Sequence, residues 1–185
     1  MQELVSERLC LRPLGPEDVD ALFAIFADEQ TVAFTEWEPF QTLADAEWLL
    51  DWATKTARQE PRTVFVWGVH WRDTDAELLG MVSLTIRNPA SRQADVGYIL
   101  HRSIWGQGIA TEAARLVVVT AFNALSLHRI SGECHPENEA SMRVLEKVGM
   151  KREGCLRQNK WEKGRWRDTA VYALLESDEQ PSQRT

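Results

Sequence analysis

A chain of 185 residues is long enough to bury a core without disulfides or structural metal, and its 44% hydrophobic and 26% charged residues exclude a disordered or fibrous class. The formal net charge of −7 argues against the basic face that nucleic-acid phosphates require, and no run of roughly eighteen apolar residues offers a bilayer span. Charges in the opening MQELVSERLC argue against an export signal, and Cys10, Cys134 and Cys155 have neither the spacing of a zinc site nor the even count of a disulfide framework, so a cytoplasmic protein with reduced thiols and no metal is expected.

Residues 4–14 alternate apolar and polar, with Leu9 and Leu11 facing one way, which predicts a half-buried first strand. Pro16 suits a helix start, and Val19, Leu22, Phe23 and Phe26 recur at helical spacing. A second helix is predicted over about 42–58, where Thr42 stands three residues before Asp45 and Leu43, Ala46, Leu49, Leu50 and Ala53 form one stripe. The stretch TEWEPFQ between them, rich in acids and aromatics, reads as a loop.

Residues 63–71 and 77–87, rich in β-branched and aromatic side chains and joined by a polar turn at 72–76, predict a hairpin. ADVGYIL then precedes a long helical segment, GQGIATEAARLVVVTAFNAL, in which Ile109, Ala113, Val117 and Ala121 step by four beside Ala110, Ala114, Val118 and Phe122. HRISGECHP is a further strand, and PENEASMRVLEKVG a helix with Asn138 as N-cap and Gly149 just past its end. Two closing strands, MKREGCLRQNKW and RWRDTAVYALLE, flank a turn at Lys163 and Gly164, and 177–185 is polar enough for a disordered tail. Strands that first dominate and later alternate with helices predict one mixed α/β (α+β) domain over 1–176, around a largely antiparallel sheet with a parallel element.

Two stretches carry chemistry. In WGQGIAT, small residues between a strand and a helix let a ligand approach the backbone, and a helix start holds phosphate oxygens through free N–H groups. Two glycines alone fit a ligand-free turn as well, and neither a third glycine nor a Gly-Lys-Ser/Thr run supports a dinucleotide or P-loop site. In PENEAS followed by RVLEKVGM, Asn138, Ser141, Leu145 and Val148 share a helical face, although a capping Asn and a solvated Ser occur on many helices.

The ordered set SERLCLRPL, ADVGYIL, IWGQGIATEAA, LHRISGECHPENEASMRVLEKVGMKREG and RDTAVYALL resembles the GNAT superfamily over nearly the whole chain, and within it the ribosomal-protein N-acetyltransferases that modify protein N-termini. The resemblance implies a mostly antiparallel sheet of about seven strands with a splayed parallel pair and flanking helices. It also implies acetyl-CoA as cosubstrate and direct transfer of its acetyl group to an amine. By position, the backbone of Tyr98, Ile99 and Leu100 would pair with the pantetheine arm, and the N–H groups of Gly106, Gln107, Gly108, Ile109, Ala110 and Thr111 would hold the pyrophosphate. Asn138 would anchor the arm, and Ser141 would lie by the sulfur as proton donor. Two departures stand out: Trp105 occupies the place where the glycine motif usually opens with Gln or Arg, and Leu145 the place of the superfamily's common Tyr donor. Gly97 is read as a bulge or close approach where the central strands part.

The same resemblance makes a protein N-terminal α-amine the expected acceptor. A polyamine or aminoglycoside acetyltransferase is the alternative, as is a non-catalytic acetyl-CoA-binding module, and both monomer and homodimer remain open. An α-amino group is about a tenth neutral at pH 7 and needs only a weak base, for which Asp95, Glu133, Glu162 or water are candidates. His70, His101, His128 and His135 receive no role, and Trp37 lies in the loop that in this family overhangs the acceptor.

Overall fold

A computed structural model describes residues 3–73 and 77–179. Eight strands form one sheet in the order β1-β2-β3-β4-β5-β6-β8-β7. The strands are β1 (Leu4–Val5), β2 (Leu9–Arg12), β3 (Val64–Trp71), β4 (Leu78–Asn88), β5 (Gln93–Leu100), β6 (Arg129–Cys134), β7 (Lys151–Glu162) and β8 (Arg165–Leu175). All neighbours run antiparallel except β5 and β6. The helices are α1 (Val19–Ala27), α2 (Glu29–Val32), α3 (Leu43–Ala57), α4 (Ile109–Leu125) and α5 (Glu139–Val148). None among the described residues is long and apolar enough to cross a membrane.

The two-residue period of the strands divides the core between two faces. Leu9 and Leu11, both fully buried, join Val82, Leu84, Val96 and Leu100 under α4, which contributes Ala113, Val117 and Val118. On the other face Val66 and Met81 pack with Leu22, Ile25 and Phe26 of α1 and Ala46, Leu49 and Ala53 of α3. Each fully buried aliphatic side chain contributes about 1.5–3 kcal/mol. One consequence reaches the site: β5 turns Val96, Tyr98 and Leu100 toward α4 and α5, and Ile99 toward α1 and α3.

The sheet has eight strands rather than about seven because the expected first strand is a small hairpin. The N–H of Ser6 donates to the Leu9 carbonyl at 2.9 Å and its hydroxyl oxygen accepts from the Leu9 N–H at 3.0 Å, reversing the chain between β1 and β2. Helix α2 was not anticipated; Asp28 caps it by accepting from the N–H groups of Gln30 and Thr31. On α3, Thr42 and Asp45 form the expected capping box, but Leu43 of the predicted stripe is 47% exposed. Gly97 is no bulge: the β4–β5 register runs unbroken from Gly80 opposite Leu100 to Ile86 opposite Ala94. The β3–β4 hairpin forms as predicted, with residues 74–76 of its turn outside the described residues. Lys163 and Gly164, with φ of 50° and 71°, make the tight turn between β7 and β8. Asp178 accepts from the Leu175 N–H and pairs with Lys151, while residues 180–185 lie outside the described residues.

Candidate active site

The cleft begins where β5 and β6 part. Their parallel register holds only for Gln93, Ala94 and Asp95 opposite Arg129, Ile130 and Ser131. The Ser131 hydroxyl donates to Asp95 at 2.6 Å, and Arg87 pairs with the same carboxylate. Beyond this fork Val96–Leu100 have β4 on one side and no strand on the other. A cavity of about 1000 Å³ fills the splay, running from the start of α4 past α5 to the loop after α2. Asp95 is committed to the fork and does not line that cavity, which removes it from the candidate bases.

At one end of the cavity lies the glycine turn. Gly106 and Gly108 both take positive φ, 77° and 79°, a backbone region that side chains with a Cβ disfavour. Around Gly106 a Cβ would meet nothing within 4 Å, so the turn shape, not crowding, requires glycine and the backbone stays open to a ligand. Helix α4 begins at Ile109 with Gly108 as its N-cap, and the Glu112 N–H is the first to find a helical acceptor, the Gly108 carbonyl at 3.0 Å. The N–H groups of Ile109, Ala110 and Thr111 therefore point out of the helix end, as an anion cradle requires. The Ile109 side chain is 1% exposed and anchors the turn in the core. Arg8 braces the turn from β2's side, donating to the Gln107 carbonyl at 3.2 Å and pairing with Glu112 at 2.6 Å. Trp105, half exposed, donates its indole N–H to the Leu100 carbonyl at 2.9 Å and so pins the end of β5 to the turn. That bond occupies a carbonyl of the expected pantetheine-pairing stretch.

On α5, Asn138 caps the helix: its side-chain oxygen accepts from the Ser141 N–H at 3.0 Å. The Asn138 amide nitrogen has no partner among the described residues and remains a donor at the cavity wall. Leu145, one turn beyond Ser141, is 1% exposed and belongs to the core beneath. Ser141 instead meets Tyr98, whose hydroxyl oxygen lies 2.8 Å from the Ser141 hydroxyl oxygen and 3.2 Å from the Ser141 carbonyl. Burial pushes the Tyr98 phenol well above its ordinary value, so it stays protonated. Burial likewise raises the Cys134 thiol, against a hydrogen bond from Ser141 that lowers it. Sequence reasoning used only the backbone of Tyr98. The alternation of β5, which puts position 98 on the face of α5, was the available signal.

The far end of the cavity is built from the loop after α2 and the β7–β8 hairpin, which Lys163 ties together by donating to the Val32 carbonyl at 2.7 Å. Trp37 sits edge-on to Phe26 at 5.6 Å between ring centres, and so both closes the core of α1 and lines the cavity. His135, given no role from sequence, also lines it, stacked on Phe34 at 5.4 Å and accepting from the Glu137 N–H at 3.1 Å. Glu133 is neutralised by Lys160 at 3.0 Å. The Glu162 side chain has neither a hydrogen bond nor an ion pair among the described residues. Arg167 is 9% exposed, with His135 Nε2 at 3.3 Å and no carboxylate within ion-pair reach among the described residues.

A mostly antiparallel sheet that splays at its single parallel pair, with a glycine-turned helix start at one mouth and a capped polar helix at its side, defines an acyl-transferase cleft. The family model described as acetyltransferase (GNAT) domain matches residues 8–151, and the chain belongs to that family of acetyltransferases. It is 32% identical to the uncharacterized N-acetyltransferase YoaA of Bacillus subtilis, over 95% of this chain and 98% of that one. Two further relatives carry named acceptors. The putative ribosomal N-acetyltransferase YdaF of Bacillus subtilis is 27% identical over 94% of each chain. The spermidine N(1)-acetyltransferase of Escherichia coli is 27% identical over 90% of this chain and 85% of that one.

Proposed function

We propose that this acetyltransferase modifies a protein N-terminal α-amine. Acetyl-CoA supplies a thioester whose C–S bond breaks, with its electron pair on sulfur, as the amine nitrogen forms the new C–N bond and loses the proton that balances the thiol. The N–H groups at Gly106–Thr111 hold the pyrophosphate, the backbone of Tyr98 and Ile99 lies along the pantetheine arm, and the free amide nitrogen of Asn138 fixes that arm. Ser141 donates to the leaving sulfur, and a backbone N–H near Ile99 faces the carbonyl oxygen as charge develops there.

The observation that carries the choice of acceptor is the base available at the far end of the cavity, a carboxylate and so a weak one. Of its acids, Glu133 is already paired with Lys160, while Glu36, Glu137, Glu162 and Asp168 also line that end, beside the buried guanidinium of Arg167. Glu162, a lining acid whose side chain has no ion pair among the described residues, takes the proton, directly or through water, which suffices for an amine that is about a tenth neutral at pH 7. A Lys side chain is neutral less than about once in a thousand at that pH. The kinship with YdaF supports this reading, and the equal identity to the spermidine enzyme makes polyamines the necessary comparison. Release of CoA thiol is to be followed at saturating acetyl-CoA with peptides bearing a free N-terminus and with spermidine. Faster turnover of the peptides is expected, and a clear preference for spermidine would overturn the assignment.

A further inference from the structure

We propose that Tyr98 is a positioning residue that aims the Ser141 hydroxyl at the leaving sulfur. The inference rests on the reading of Ser141 as the sulfur's donor. A serine hydroxyl has one hydrogen and can accept two. Its oxygen lies 2.8 Å from the Tyr98 hydroxyl oxygen, which approaches from β5 across the splay. Which of the two donates decides where the Ser141 hydrogen points. Burial keeps the phenol protonated, so its hydrogen is always present to be given. When Tyr98 donates to the Ser141 hydroxyl rather than to the Ser141 carbonyl 3.2 Å away, the Ser141 hydrogen is turned from the phenol toward the cavity wall where Cys134 also stands, and a hydroxyl that accepts a hydrogen bond is a stronger donor itself.

This arrangement also answers the departure at position 145. Leu145 is buried in the core and can donate nothing, so α5 itself supplies no phenol one turn beyond Ser141. Tyr98 brings a phenol to the same serine from the opposite wall. It acts through Ser141: net proton loss from the phenol would leave a buried phenolate, which burial disfavours. The proton reaching sulfur is Ser141's, replaced through water from the nitrogen that gave one up.

Two readouts test this. The chain has only two tyrosines, Tyr98 and Tyr172, so protein labelled with 3-fluorotyrosine gives two fluorine resonances, assigned with Tyr172→Phe. Without any ligand, Ser141→Ala is expected to shift the Tyr98 resonance and leave that of Tyr172 in place; an unmoved Tyr98 resonance overturns the contact. In the acetylation assay Tyr98→Phe is expected to lower kcat about three- to tenfold, the worth of one hydrogen bond, with KM for acetyl-CoA changed less than about twofold. In the Ser141→Ala background the same change should cost nothing further. An equal loss in both backgrounds, or parental kcat for Tyr98→Phe, overturns the positioning role while Ser141→Ala remains impaired. Parental kcat for Ser141→Ala overturns the reading of Ser141 and the role of Tyr98 with it. Should Tyr98→Phe fail to fold, fluorination itself substitutes, since it strengthens the phenol as a donor. A change in kcat in the parent that disappears in Ser141→Ala supports the role, and no change in the parent contradicts it.

Discussion

Ser141 sits one helical turn before a buried leucine and within hydrogen-bond reach of a phenol from another element, so the surroundings of its hydroxyl are not set by its own helix alone. A thiol of pKa about 8.5 leaves far more readily than an alkoxide, so help with its proton is useful but dispensable in part. Ser141→Ala is expected to lower turnover by roughly one to two orders of magnitude with acetyl-CoA affinity within a few fold, as calorimetry and steady-state rates would show. Parental turnover when chemistry is limiting would contradict the assignment. Gly108 tests the opposite end. Its φ of 79° and its place as N-cap make Gly108→Asp both strained and electrostatically wrong for a pyrophosphate. A rise in the acetyl-CoA Kd of about tenfold or more is expected by calorimetry, and an unchanged Kd would move the phosphate site elsewhere. Residue types and spacings in the sequence pointed to both positions. They could not show that Tyr98 reaches Ser141, because that contact joins positions 98 and 141 through the splay of two strands rather than through helical spacing.

At the scale of elements, α5 and the β1–β2 hairpin hold the site in shape. Asn138→Ala removes the oxygen that receives the Ser141 N–H and is expected to cost about 1 kcal/mol of stability, read as a lower denaturation midpoint. No loss would mean that the cap is redundant. Glu112, in the first turn of α4, is raised by burial but lowered more by hydrogen bonds from Ser6 and Arg8, and the net shift is downward. Its unfolded carboxyl titrates near about 4.3, so the stabilisation is fully present above that pH and is lost as pH falls through the lower folded value. Glu112→Gln should therefore be less stable than the parent at pH 7, with the gap closing in acid; a gap independent of pH would locate the effect in packing. The Ser6 hydroxyl that donates to Glu112 at 2.7 Å also ends β1, which explains why period-two reasoning joined two strands into one. The alternation continues through the turn, and only a side-chain bond reverses the chain. Caps and tight turns, by contrast, were legible at Thr42, Asn138, Gly149 and Lys163–Gly164, where residue type alone satisfies or permits the local backbone.

For the whole molecule, the parting of β5 and β6 after three paired residues is the feature from which the rest descends. It leaves the backbone of β5 unpaired on one side, sets the start of α4 beside the N-terminus of α5, and opens a cavity whose far wall comes from α2 and the β7–β8 hairpin. That far wall was the least legible part of the chain. Phe34, His135, Glu162 and Arg167 come from segments distant in sequence, and none bears a local signature. On the proposed reading the choice of acceptor is made there, and it can be read where the acetyl group lands. A peptide carrying one free α-amine and one Lys side chain, incubated with the protein and acetyl-CoA near pH 7, is to be fragmented by mass spectrometry to locate the modification. The account predicts acetyl on the α-nitrogen with the Lys side chain unmodified, and acetyl on the Lys nitrogen, or on neither, would contradict it.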